Sequence, residues 1–256
     1  CGGASITVCT FTDTLRGILN GLDVVSFDPQ TDSVLSANFN ADTLPLRAKN
    51  KIALQRRVGL PEAPDTPLLG MVTRMDMQKG VDIALKGLRM LKKQNWQFVL
   101  LGAGDPKLEA MAKKLQEEMP ARARVETRYD ANLARQIYAG ADLFLMPSRY
   151  EPCGTSQMIA MRYGCAPLVR AVGGLHDTVT DGESGFVFVD TKVKSFNDAV
   201  RRALQFFPDQ SRWAALQKAG MAKDFSWRAS AEKYVNAYKT LIAESAVPAR
   251  DAYPPS

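Results

Sequence analysis

The stretch PLLGMVTRMDMQKGVDIALKGLRMLKKQNWQFVLLGAGDP, residues 67–106, decides the fold. It opens with an apolar run at 67–73, passes through a charged connection, takes up helical spacing over 80–93, and returns to an apolar run at 97–101. A short continuous apolar run bounded by turn residues reads as a strand buried on both faces. A following apolar repeat of three and four reads as a helix laid against it. The same alternation continues. Further strands are expected at 124–127, 142–146, 166–169 and 185–189, with helices at 106–118, 131–138, 156–163 and 194–206. Repeated β-α-β units predict an α/β fold, a Rossmann-like doubly wound parallel sheet with right-handed connections.

Outside that block the pattern changes. Asn20-Gly21 and Asp28-Pro29 are turn signals, one helix is expected at 46–58, and residues 59–67 form a proline-rich connector. Helices at 211–222 and 227–244 close the chain, and 248–256 reads as a frayed tail. The division expected is an interdomain segment at 1–23, one domain at 24–243 that includes the terminal helices, and a flexible tail at 244–256.

Composition sets bounds. With 256 residues, 46% apolar and 23% charged, the chain is an ordinary globular one, able to bury a sizeable core. No apolar run approaches the roughly 18 residues of a membrane helix, and residues 1–11 do not have the pattern of a secretory signal. The net charge of +6 favours anionic partners. The cations are dispersed, with no basic block interleaved with aromatics, so no nucleic acid is expected. The four cysteines, at 1, 9, 153 and 165, form no close pair, and His176 is the sole histidine. Neither a disulfide framework nor a zinc site is expected, and a reducing compartment is the simplest fit.

In an open α/β sheet, ligands sit beyond the carboxyl ends of the strands. After the first strand come Arg74 and Lys79, one at the strand exit and one near a helix start. A guanidinium and an ammonium beside a helix N-terminus suit a diphosphate; two solvated surface cations are the plainer reading. The second strand ends in Leu101-Gly102-Ala103-Gly104-Asp105-Pro106, where Gly102 and Gly104 let the backbone turn and approach a ligand. Position 107 is lysine rather than the glycine of a dinucleotide fingerprint. The fourth strand runs into Pro147-Ser148-Arg149-Tyr150-Glu151-Pro152-Cys153-Gly154-Thr155-Ser156. Glu151 can accept from sugar hydroxyls, and backbone N–H groups at 154–156 can meet phosphate; a structural ion pair is the other reading of Glu151.

These motifs occur in a fixed order with Ala160-Met161-Arg162-Tyr163-Gly164, Gly173-Gly174-Leu175 and Asp177-Thr178-Val179. Near the ends stand Ile18-Leu19-Asn20-Gly21-Leu22-Asp23 and Asp224-Phe225-Ser226-Trp227. The series, over roughly residues 15–243, resembles the carboxyl-terminal domain of bacterial glycogen synthases and plant or algal starch synthases. The resemblance implies one half of a two-domain GT-B glycosyltransferase. That enzyme transfers glucose, with retention, from ADP-glucose or UDP-glucose to the 4-hydroxyl end of an α-1,4-glucan. By the same resemblance Arg74 and Lys79 bind and stabilise the diphosphate, and Glu151 is the acidic residue beside the donor sugar. Tyr129 stacks on the nucleobase, and Gly102, Gly104, Ser148, Cys153, Gly154, Thr155 and Ser156 complete the nucleotide-sugar-binding set. No metal or other cofactor is implied.

Two departures stand out, Val172 before Gly-Gly-Leu and Thr155 after Cys-Gly, where the family often has a small polar residue and leucine. Ile159 occupies the position, eight after Glu151, where many other retaining GT-B transferases carry a second glutamate. The family's Lys-x-Gly-Gly-Leu motif does not occur, so the acceptor-side amino-terminal domain is expected to be absent from these residues, with Cys1 to Thr14 a junction. The isolated chain is then expected to bind nucleotide without elongating glucan. A non-catalytic sensor of nucleotide sugars is the reading from a different class. The compartment implied is bacterial cytoplasm or plastid stroma.

Overall fold

A computed structural model describes residues 17–245. The expected junction, Cys1, Cys9 and the tail beyond Ser245 lie outside the described residues. Six strands form one parallel sheet: β1 (Leu68–Val72), β2 (Gln97–Leu101), β3 (Ala123–Glu126), β4 (Leu143–Met146), β5 (Ala166–Arg170) and β6 (Phe186–Phe188). Their order is β3-β2-β1-β4-β5-β6. In register, Leu68 lies beside Gln97, Leu69 beside Leu143, Phe98 beside Ala123, Leu143 beside Ala166 and Leu168 beside Phe186. The helices are α1 (Arg47–Val58), α2 (Val81–Met90), α3 (Pro106–Glu118), α4 (Ala131–Gly140), α5 (Ser156–Arg162), α6 (Gly174–Thr178), α7 (Val193–Phe206), α8 (Gln210–Met221) and α9 (Trp227–Ser245).

The apolar strands alternate between two cores, which is why they lack polar faces. Leu69, Met71, Phe98, Leu100, Leu145 and Leu168 join α2, α3, α7 and α8 in one core. Leu68, Val99, Leu101, Phe144, Met146 and Val169 join α1, α4, α5 and α6 in the other. Side-chain caps start the helices where the sequence supplies them. Asp105 accepts from Lys107 N at 2.7 Å before α3, and Asp130 from Leu133 N at 2.8 Å before α4. Gly59, in the left-handed region, ends α1.

The segment at 24–46 wraps the second core through buried polar bonds. Tyr163 donates to Asp32 at 2.6 Å, and Arg162 reaches Val24 O, Phe27 O and Asp28. The Ala-Met-Arg-Tyr-Gly motif is thus explained by packing. The described ends also meet: Leu22 N donates to Phe225 O at 2.6 Å, and Ser230 Oγ to Leu19 O at 2.8 Å. Expected and observed elements agree closely, α3 at both ends. The larger differences are α2, which stops at Met90 rather than 93, α4, which runs to Gly140 rather than 138, and α6, a single turn too short for periodicity to reveal.

Candidate functional site

Sheet order sets the place. β1 is followed by β2 on one side, while β4 returns to its other side, so the loops leaving β1 and β4 diverge and open a crevice at the carboxyl edge. The β1-α2 loop carries Arg74 and Lys79, and the β4-α5 loop carries Ser148 to Thr155.

The two loops touch. Gly80, at φ +68°, backs onto β4's exit so closely that a Cβ would lie 2.0 Å from Pro147 O. Lys79 Nζ donates to Glu151 Oε2 at 2.6 Å, and Ser148 Oγ donates to the same oxygen at 3.2 Å. Ser148 and Glu151 are buried, and the Lys79 side chain is 21% exposed. A carboxylate out of water holds its place only with such partners. From the other side, Gly174 N donates to Glu151 O and Pro152 O, both at 3.2 Å. Buried Gln157 donates through Nε2 to Cys153 O and Gly154 O at 3.1 Å and to Thr178 Oγ1 at 3.2 Å. These bonds shape a cavity of about 290 Å³ lined by Asn20, Lys79, Met146, Glu151, Pro152, Cys153, Gly154, Thr155 and Ser156. Thr155 precedes α5 and Ser156 opens it, so unpaired helix-start N–H groups lie at the same place. Behind Ser156, burial pushes the Tyr138 hydroxyl up to about 12.

Beside it, beyond β1 and β2, a second cavity of about 370 Å³ is lined by Val72, Thr73, Arg74, Leu101, Gly102, Ala103, Arg128, Tyr129, Asp130 and Ala134. Tyr129 is 91% exposed and the Arg74 side chain 74%, its guanidinium 3.2 Å from Asp76. Arg128 bridges Glu126 at 3.0 Å and Asp130 at 3.2 Å, and Arg57 reaches Asp130 at 2.8 Å. The Leu133 N–H holds the Asp130 carboxyl below its ordinary range; burial opposes this, and Arg57 and Arg128 reinforce it.

The structure therefore distributes the expected residues over two neighbouring cavities. Lys79, Ser148 and Glu151 are bonded together, with Cys153, Gly154, Thr155 and Ser156 around them. Arg74, Gly102 and Tyr129 line the other. Gly104 lines neither, and both glycines are required by chain packing. A Cβ on Gly102 would stand 1.8 Å from Thr73 O and one on Gly104 2.4 Å from Met75 O, because the β1 and β2 exits run side by side. Of the departures, Thr155 is exposed on the first cavity and Val172 packs against the second core. His176 is exposed, and Cys165 is buried, its thiol pushed up to about 12 by burial. Sequence reasoning missed Asp82, Arg149 and Arg170, which hold the loops from behind; Arg149's place inside the Pro-Ser-Arg-Tyr-Glu motif was the available signal.

A larger cavity, about 490 Å³, lies at the opposite edge, beside Lys51, Asp142, Phe207 and Trp213. Its ion pair, 2.7 Å long, belongs to the fold, since Asp142 also accepts from Leu68 N at 2.8 Å where β1 begins. Among the described residues, no group of three or more His, Cys, Asp or Glu side chains is placed to hold a metal ion, and no helix is long and apolar enough to cross a membrane.

Residues 55–217 match the sequence family of the group 1 glycosyl transferases. A glycogen synthase of Anaeromyxobacter sp. (strain Fw109-5) is 47% identical over 234 residues, covering 90% of this chain and 49% of that protein. A glycogen synthase of Bacillus cereus (strain Q1) is 42% identical over 238 residues, covering 91% and 50%. The chain thus spans about half the length of the curated relatives it matches. Among solved structures, the catalytic domain of starch synthase IV from Arabidopsis thaliana, bound to ADP and acarbose, superposes with a TM-score of 0.84 at 37% identity. That match covers 91% of this chain and 50% of that one.

Proposed function

This chain belongs to the group 1 glycosyl transferases, and from that premise we propose that it is the donor-binding half of a starch- or glycogen-synthase-type glucosyltransferase. Its Rossmann-like sheet is that of the GT-B transferases it superposes on. The proposed reaction moves glucose from ADP-glucose, or UDP-glucose, to the 4-hydroxyl end of an α-1,4-glucan with retention. The observation that carries it is the pairing of two cavities at one strand edge, one with an exposed aromatic wall, the other with a buried ammonium and carboxylate in contact.

In this reading the base stacks on Tyr129 and the diphosphate lies toward the β1-α2 loop. Arg74 turns from Asp76 to meet it, while Lys79 shares its three donors between phosphate and Glu151. Negative charge grows on the diphosphate as the sugar leaves. Lys79, held in place by folding, and the N–H groups at Gly154 to Ser156 stabilise that charge without reorganisation at the moment of reaction, and Arg74 adds its charge once the diphosphate has ordered it; no metal enters this reading. Glu151 accepts from sugar hydroxyls and stabilises positive charge on the ring; no nucleophilic role is assigned to it. Gly102 forms part of the base cavity's wall, Ser148 holds Glu151 in place, and Cys153 and Thr155 border the sugar.

The acceptor glucan lies against an amino-terminal domain, residues 1–23 belonging to the junction and 24–243 to the donor domain. Holding donor and acceptor together in a closed cleft supplies about 7–11 kcal/mol of barrier lowering, so these 256 residues alone bind nucleotide and do not elongate glucan. Bacterial cytoplasm or plastid stroma is the compartment this reading implies.

The test is calorimetric titration with ADP, UDP, ADP-glucose and UDP-glucose, together with radiolabelled glucose transfer to a maltooligosaccharide. Adenine nucleotides are expected to bind more tightly than uracil ones, with no transfer. Failure to bind any of the four overturns the donor-domain reading, and transfer by the chain alone overturns the half-enzyme reading.

A further inference from the structure

Lys79 and Glu151 come from two loops 72 residues apart in sequence, yet their charged atoms stand 2.6 Å apart. Something must set that separation, and the bonds that do so involve side chains that line neither cavity. Arg149 turns away from the cavity toward the β1-α2 loop. Its Nη1 donates to Met77 O and to Asp82 Oδ1, both at 2.7 Å, and its Nη2 to Asp82 Oδ2 at 3.0 Å. Its backbone N donates to Gln78 O at 2.7 Å, and Gln78 Nε2 returns a bond to Tyr150 O at 3.1 Å. From β5, Arg170 donates to Ser148 O at 2.7 Å and to Arg149 O at 2.5 Å.

The bonds fall on both sides of each functional residue. Met77 and Gln78 precede Lys79, and Asp82 follows it in the first turn of α2; Ser148, Arg149 and Tyr150 precede Glu151. A guanidinium fork meeting a carboxylate through two parallel bonds fixes direction as well as distance, which a lysine cannot do. Asp82 is buried and stands where a helix favours negative charge. Burial works against its ionisation, but the Arg149 bonds and charge, with Lys86, outweigh it and hold its carboxyl below the ordinary range.

We infer that Arg149 and Asp82 are a positioning pair that locks the Lys79 loop to the Glu151 loop and so sets the donor sugar relative to its diphosphate. The inference rests on the donor-binding reading above. A diphosphate alone engages the cationic side, whereas the glucose of an intact donor also engages Glu151. Loosening the brace therefore weakens ADP-glucose more than ADP.

The experiment titrates the full chain and its Arg149→Lys, Asp82→Asn and Gln78→Ala variants with ADP and with ADP-glucose, alongside thermal melts. Arg149→Lys and Asp82→Asn are expected to lower the ratio of ADP-glucose to ADP affinity by about tenfold, the equivalent of one charge-assisted hydrogen bond weakened. Gln78→Ala, which leaves the ion pair intact, is expected to lower it by less. If the two charged variants fail to fold, Gln78→Ala decides on its own, a lowered ratio supporting the brace. An unchanged ratio in the folded variants, whatever happens to melting temperature or ADP affinity, overturns the inference, because a merely structural role leaves the ratio alone. Absence of any nucleotide binding by the unaltered chain would instead overturn the donor-binding reading.

Discussion

In the cavity between β1 and β4, Lys79 and Glu151 are already in contact, and the loops carrying them are pinned by backbone and guanidinium bonds. One strand away, Arg74 and Tyr129 stand in solvent, the Arg74 guanidinium paired, among the described residues, only with its near neighbour Asp76. The same sheet edge thus holds one cavity whose charged groups are ordered by folding and one whose principal side chains stand exposed. Ordering a long side chain at binding costs about 0.5–1.5 kcal/mol, so the pinned site returns more affinity per contact. In the proposed reading the pinned cavity takes the reacting sugar and phosphate, where small displacements cost rate. In the same reading the open one takes the flat base, which needs a surface and little else.

The largest test of that contrast concerns the pinning itself. Gly80→Ala puts a Cβ 2.0 Å from Pro147 O at φ +68°. A left-handed alanine costs about 1–2 kcal/mol and overpacking about 1–3, so a loss of about 2–5 kcal/mol is expected in urea unfolding. Gly182→Ala, at φ +75° with nothing within 4 Å, should cost only the left-handed part. Equal losses at the two positions would show that the loops are not held against each other.

Next comes nucleotide binding. Lys79→Ala is expected to weaken ADP by about 3 kcal/mol and Arg74→Ala by about 1.5, the upper and lower parts of the range for charged hydrogen bonds. Calorimetry checks both, and equal effects would erase the distinction between pinned and mobile cations. Tyr129→Ala should cost about 1 kcal/mol of ADP affinity and Tyr129→Phe nothing measurable, since stacking uses the ring. If phenylalanine lost as much as alanine, the hydroxyl would be the contact.

The smallest effect expected is on acid stability. Asp82 and Asp130 each support one cavity and both are held below the ordinary carboxylate range in the fold, Asp130 chiefly by the Leu133 N–H. Their contribution is therefore complete above the unfolded aspartate value of about 3.9 and is lost as pH falls through it toward the folded values. Asp82→Asn should lower stability at neutral pH and flatten the acid limb of an unfolding profile taken from pH 6 down to pH 2. An acid limb as steep as before would show that the Arg149 pair does not hold that charge.

Much of this protein was legible as local pattern. The runs at 67–73 and 97–101 became β1 and β2, Asp105-Pro106 started α3, and Asp130 started α4. Periodicity, caps and turn residues act over a few positions, so they survive translation from sequence. Order beyond that range was not legible from periodicity. The sequence reads Gly102 and Gly104 as room for a ligand; the adjoining backbone at Thr73 and Met75 also demands both, and Gly102 lines a cavity as well. Arg162 and Tyr163 belong to one of the motifs that carry the family resemblance, and what they do in the fold is hold the segment at 24–32.

By itself, then, the sequence determined the elements, the strand exits that carry polar residues and the family resemblance that joined them. Only the tertiary structure decided that β4 lies beside β1, that Lys79 meets Glu151 across 72 residues while Arg74 faces a separate cavity, and that Arg149 reaches back to Asp82. The reason is physical. Which loops become neighbours depends on strand order, which the burial of two apolar faces settles for the chain as a whole, and no local spacing records the outcome.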